Sequence, residues 1–110
     1  MTFENFKADI EIKLANLTKF ELVEFHYLPY CFGNGFLVYR IGGQFHKLTF
    51  NGRENELNWD ISSKNERYDN AKFVLLETVQ GLIISNELLK SILEKKAAGN
   101  CFNRLNRLKN

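Results

Sequence analysis

Residues 36–61 read FLVYRIGGQFHKLTFNGRENELNWDI, and how this stretch pairs with itself decides the fold. Three runs rich in β-branched and aromatic residues, 36–41, 44–50 and 53–61, are separated by Gly42-Gly43 and Asn51-Gly52, two dipeptides whose tolerance of positive φ suits tight hairpin turns. The pattern predicts a β-meander. If both turns hold two residues, Tyr39 opposes His46 and Leu37 opposes Leu48 in the first hairpin, while His46 opposes Leu57 and Gln44 opposes Trp59 in the second. Because side chains alternate along a strand, one face then carries Leu37, Tyr39, Ile41, His46, Leu48, Leu57, Trp59 and Ile61, an apolar set fit for a core. The opposite face carries Val38, Arg40, Phe45, Lys47, Thr49, Glu54, Glu56, Asn58 and Asp60, with Lys47 expected across from Glu56, and it reads as hydrated.

Upstream, Phe20 to Tyr27 reads as a further strand, closed by Pro29 and therefore expected near a sheet edge. The doubled apolar pair Leu22-Val23 breaks its alternation and points to a bulge. Before it, Phe3, Phe6, Ile10, Leu14 and Leu17 recur at three- and four-residue steps, so 3–17 is predicted to be an amphipathic helix with Thr2 as its N-cap. Downstream, the polar residues 62–71 predict an exposed loop and Phe73 to Val79 a buried strand. Ser85 can cap a helix over 85–97 whose stripe is Leu88, Leu89, Ile92, Leu93 and Ala97, stopped by Gly99, with one more short turn through Phe102, Leu105 and Leu108. The order α-β-β-β-β-β-α predicts an α+β fold: an antiparallel sheet of four to five strands, its apolar face covered by an N-terminal and a C-terminal helix.

The 110 residues suit a single domain with one core, and a composition that is 45% hydrophobic and 25% charged is that of a chain that folds. A net charge of +2 is too small to indicate nucleic acid or a membrane surface by itself, so its distribution matters. Lys95, Lys96, Arg104, Arg107 and Lys109 face only Glu94 within 91–110, which leaves the body of the chain slightly acidic. Such a basic tail can meet phosphate, giving a small nucleic-acid-binding module as an alternative function, or it can be a solvated helix end. Cys31 and Cys101 match no metal or redox spacing and are expected to be reduced thiols. No leader pattern opens the chain and no apolar run reaches the roughly 18 residues that span a bilayer, so the expected location is the cytoplasm, with no membrane partner.

Residues with possible chemistry are few. His26 and His46 are the only histidines, and a metal-free acid–base pair would need them within reach of one substrate. The register instead puts His46 among leucines, as a neutral core histidine with one satisfied nitrogen. No set of four ligands at workable spacing favours zinc, no cofactor is implied, and Cys31 is expected to be buried rather than nucleophilic. Gly33-Asn34-Gly35 lacks the lysine and the following helix of a phosphate loop and reads as a turn. The remaining cluster is acidic: Glu54, Glu56, Asp60, Glu66 and Asp69 lie on one predicted strand and the loop after it. That surface is either a solvated sheet face with weak ion pairs or a recognition surface for a basic partner.

Phe32-Gly33-Asn34-Gly35, Tyr39-Arg40-Ile41, His46 and Gly52-Arg53-Glu54-Asn55-Glu56-Leu57 with Trp59 resemble the central block of small bacterial immunity proteins of contact-dependent growth inhibition systems, over roughly residues 28–90. The resemblance implies a cytoplasmic binding protein, not an enzyme, whose partner is the toxic C-terminal domain delivered by a sibling cell, often a nuclease. Glu54, Glu56, Asp60, Glu66 and Asp69 would then stand in for phosphates, with Trp59 or Tyr68 as an aromatic anchor if exposed. The net charge of +2 departs from a strongly acidic inhibitor, which leaves binding away from the toxin's active site open.

Overall fold

The computed structural model describes residues 2–95. Helix α1 (Phe3–Leu17) is followed by strands β1 (Glu21–Leu28), β2 (Asn34–Ile41), β3 (Gln44–Asn51), β4 (Glu56–Ile61) and β5 (Val74–Gln80), with a single 3-10 turn (Tyr68–Asn70) before β5. A second helix, α2, occupies residues 86–95. The strands form one antiparallel sheet in chain order, β1-β2-β3-β4-β5. The predicted α+β architecture is therefore the observed one. Ala97, Gly99 and the turn through Phe102, Leu105 and Leu108 lie outside the described residues, as does the basic stretch from Lys96 onward.

The first hairpin has the expected register, with Tyr39 opposite His46 and Leu37 opposite Leu48 around Gly42 and Gly43, both at positive φ. The second does not. Asn51 pairs with Glu56, so residues 52–55 form a longer turn in which Asn55 adopts φ 51°. Asn51 Oδ1 accepts the backbone N–H groups of Arg53 at 3.1 Å and Glu54 at 3.4 Å, a side-chain turn that competes with strand pairing. His46 consequently faces Ile61 rather than Leu57, Trp59 faces Leu48 rather than Gln44, and Lys47 lies across from Asp60 rather than Glu56. The slip is an even number of residues, so every β4 side chain stays on its expected face. The bulge at Leu22-Val23 is present, and β1 is an edge strand.

One face of the sheet builds the core. Leu37, Tyr39, Leu48, Leu57 and Trp59 are fully buried beneath Phe3, Phe6, Ile10 and Leu14 of α1 and Leu89 and Ile92 of α2, each such side chain contributing about 1.5–3 kcal/mol of burial. The α1 stripe stops at Leu14; Leu17 is exposed, at the rim of a cleft shared with Asn86, Glu87 and Lys90. Thr2 caps α1 by accepting the Asn5 N–H, and Ser85 Oγ accepts the Leu88 N–H at the start of α2. Lys13 fastens α2's approach by donating to the Ile84 carbonyl at 2.6 Å while paired with Asp9. Tyr39 reaches the edge of this layer and donates to Glu11 at 3.0 Å; burial, with Glu11 beside it, holds its phenol far above the usual value. Strand β5 corrects the expectation of a buried strand. It has one neighbour only, and Val74 and Leu75 are exposed. No helix among the described residues is long and apolar enough to cross a membrane.

Candidate partner-binding face

The face of the sheet turned away from the helices is half covered, which its sequence does not announce. Val38 and Phe45 are buried there although neither helix reaches them. Their cover is the 62–71 segment, expected as an exposed loop; most of its residues are exposed, yet it is folded over the sheet as a strap. Ser62 Oγ accepts the Phe45 N–H at 2.9 Å, the Ser62 N–H donates to the Phe45 carbonyl at 2.9 Å, and Asn65 N–H donates to the Gly43 carbonyl at 2.9 Å. Gln44, buried, donates to the Ser62 carbonyl at 2.8 Å. The Tyr68 ring then packs 5.2 Å from Phe45, and its hydroxyl donates to Glu24 on β1, the edge strand at the opposite side of the sheet from β5.

Glu24 also holds His26 Nε2 at 2.9 Å, and the His26 ring stacks on Phe36 with centroids 4.8 Å apart. Lys47 continues the row, its ammonium 4.8 Å above Phe36 and 5.7 Å from Phe73, where a cation meets the negative face of each ring. Desolvation raises the Asp60 carboxyl above its ordinary value, opposed by Lys47 across the strand pair. Partial burial and the Glu24 carboxylate push the Tyr68 phenol up to about 12. The sheet positions of this face carry Glu21, Glu24, Glu56 and Asp60 against Arg40 and Lys47, and Arg40 is already paired with Glu21 at 2.7 Å. It is a mixed surface with a carboxylate excess.

The seven residues singled out in the sequence are not one cluster. Trp59 is fully buried on the core face, where its indole N–H donates to His46 Nδ1 at 2.9 Å, so it cannot anchor a partner. That bond leaves His46 neutral with its proton on Nε2, a core histidine as expected. Tyr68 is half-buried and engaged by Glu24. Glu66 folds the strap, accepting the Ser63 N–H at 3.2 Å and the Lys72 N–H at 3.1 Å, and the Lys72 contact leads those that lower its carboxyl. Asp69 is exposed, 3.6 Å from Arg67, and Asp60 is half-buried. Glu54 is exposed in the 52–55 turn, not on a strand, and Glu56 is half-buried with Gln80 3.4 Å away. Glu54 and Glu56 therefore sit together at one end of the sheet, Asp60 mid-sheet, and Glu66 and Asp69 on the strap.

His26 and His46 lie on opposite faces of the sheet, so they cannot act as a pair on one substrate. Among the described residues no group of three His, Cys, Asp or Glu side chains has the geometry of a metal site. Cys31 corrects the expectation of burial: it is exposed in the β1–β2 turn.

That turn holds what the sequence reading missed. Phe32 takes φ 59°, Asn34 Oδ1 accepts the Gly52 N–H at 2.6 Å, and the Arg53 guanidinium lies 4.7 Å over the Phe32 ring. A Cβ on Gly52 would stand 1.5 Å from the Phe32 carbonyl oxygen, so the two turns touch through a residue that has to be glycine. Phe32, Asn34, Gly35, Gly52 and Arg53, which carry much of the resemblance, are thus one physical unit formed by two turns far apart in the chain. The dipeptide chemistry of each turn was legible; their contact was not.

No family model, curated protein or solved structure matches this chain. The functional reading accordingly rests on its own residues.

Proposed function

We propose that this protein is an immunity protein, one that binds and neutralises the C-terminal toxin domain, a nuclease, of a contact-dependent growth inhibition system. The observation that carries the proposal is the locked pair of turns at one end of the sheet. They hold the residues of the resemblance rigid while leaving Glu54 exposed and Glu56 half-exposed on the same end. Rigid, pre-placed side chains lose little freedom on association, and carboxylates there complement the basic surface with which a nuclease receives its polyanionic substrate. The strap's Asp69 and the mid-sheet Asp60 extend the acidic surface along the open face. Glu66 and Trp59 support the fold and take no part in contact.

The test is to determine whether a large adhesin-like reading frame ends immediately upstream and, where it does, to co-express its C-terminal domain with this chain; an unrelated neighbour would count against the proposal. Growth should be restored by this chain, and Glu54→Lys with Glu56→Lys should weaken the purified complex by about tenfold or more, as expected for two rim charges made repulsive. Cells that die despite soluble expression of the chain would refute the proposal. A complex of unchanged affinity in the doubly reversed variant would refute the assignment of these two acids.

A further inference from the structure

Where the two turns meet, on the helix-covered side of the sheet, lies a cleft of about 570 Å³, a size that holds a small organic molecule. Phe3, Tyr27, Phe32 and Phe50 line it with aromatic rings, and Leu82 and Ile83, from the link between β5 and α2, form an aliphatic wall. The rest of the lining is glycine and uncharged polar residues, so no charged side chain faces the interior. Its two walls remain wet: Ile83 is 71% exposed and Phe32 63%. Both stand on backbone that is fixed in advance. Asn34 Oδ1 accepts the Gly52 N–H at 2.6 Å beneath the Phe32 turn, and the Gly81 N–H donates to the Asn55 carbonyl at 2.7 Å, tying the far wall to the 52–55 turn. A preformed apolar cleft has little ordering cost to meet when it is filled.

The charge that the geometry fixes beside this cleft is positive. The Arg53 guanidinium lies 4.7 Å over the Phe32 ring, which stations a cation on the wall. Among the described residues Arg53 has no carboxylate partner. Its chain neighbour Glu54 is exposed and lies outside the lining, and Glu56 projects from the opposite face of the sheet, where Gln80 meets it. A guanidinium resting on a ring keeps N–H groups along its edge free to hold a carboxylate. We infer that the cleft binds a small organic acid with an aromatic or branched aliphatic body and a single carboxylate. The body enters among Phe3, Phe32, Phe50 and Ile83, and the carboxylate pairs with Arg53 at the Phe32 wall. This site goes beyond the partner-binding reading and does not depend on it.

The probe is naphthalene-2-acetate, titrated into the full-length ¹⁵N-labelled protein at neutral pH beside its neutral amide, the corresponding naphthylethylammonium cation and plain acetate. The acid should give saturable amide shifts at 32–33, 53–55 and 80–83. The neutral amide should shift the same residues with an affinity lower by about threefold or more, the cation should bind more weakly still, and acetate, which lacks the ring, should not saturate. Arg53→Gln should lower the affinity for the acid to that for the amide while leaving the amide's own affinity unchanged, a split that a merely structural role for Arg53 does not produce. Ile83→Asp alters an exposed side chain, so it should leave the remaining spectrum intact and abolish binding of the acid. The inference is overturned if the acid gives no saturable shifts or shifts elsewhere on the protein. It is overturned equally if the amide or the cation binds as tightly as the acid, or if the acid binds Arg53→Gln as well as wild type.

Discussion

Gly52→Ala puts the contact between the two turns to a quantitative test. The new Cβ would lie 1.5 Å from the Phe32 carbonyl oxygen and 2.6 Å from its carbon, where real Cβ contacts do not go below 3.0 Å, so the turns must separate by roughly that 1.5 Å shortfall. Separation stretches the 2.6 Å bond from Gly52 N–H to Asn34 Oδ1 out of range and lifts Arg53 from Phe32. The bond is worth about 1 kcal/mol and the exposed cation–ring contact about 0.5–1 kcal/mol. Repositioning the Phe32 turn costs about 1 kcal/mol more, against about 0.5 kcal/mol regained because alanine restricts the unfolded chain. The expected net loss is about 2 kcal/mol. With a urea dependence of about 1.5 kcal/mol per molar for a domain of this size, the unfolding midpoint should fall by about 1.3 M. Gly33→Ala is the comparison: Gly33 has φ +73° but nothing within 4 Å of a Cβ, so it should lose only the backbone cost of about 1 kcal/mol. Asn34→Ala combined with Gly52→Ala should cost less than the two separately, since both remove one bond. A midpoint for Gly52→Ala within about 0.3 M of wild type, or above that of Gly33→Ala, would refute the close packing of the turns.

Trp59→Phe removes the donor to His46 Nδ1 and part of the core's largest side chain, so it should cost about 3 kcal/mol by urea unfolding followed by circular dichroism; a loss under about 1 kcal/mol would show that the indole–imidazole bond does not matter. Tyr68 has its folded-state phenol pKa raised to about 12, so what its bond to Glu24 contributes is complete below the unfolded value of about 10 and is lost as pH rises through about 12. The difference in unfolding midpoint between wild type and Tyr68→Phe should shrink across that window, and a Tyr68 that ionises near pH 10 in a phenolate absorbance titration would contradict the strap geometry.

Which side chains face the helices was legible in the sequence because that information is local. Alternation along 36–41, 44–50 and 56–61 assigns each residue to a face, and the assignment survived a wrong turn length since the slip in β4 was even. The stripe Phe3-Phe6-Ile10-Leu14, the Thr2 and Ser85 caps and the β1 bulge were readable for the same reason. Tertiary structure alone decided the rest. Whether Asn51-Gly52 closes a two-residue or a longer turn depends on Asn51 and Asn55 competing with strand pairing, and on Asn34 reaching Gly52 from another turn. A polar stretch such as 62–71 shows no periodicity, so its folding over Val38 and Phe45 rests on Ser62, Glu66 and Tyr68 finding partners distant in the chain. The acids chosen from composition were scattered by that same folding, and the exposed ring of Tyr30 and Phe32 was concealed in a sequence where aromatic residues mostly mean core. Burial is a property of what else arrives at a place, and a single chain read in order records only what is adjacent.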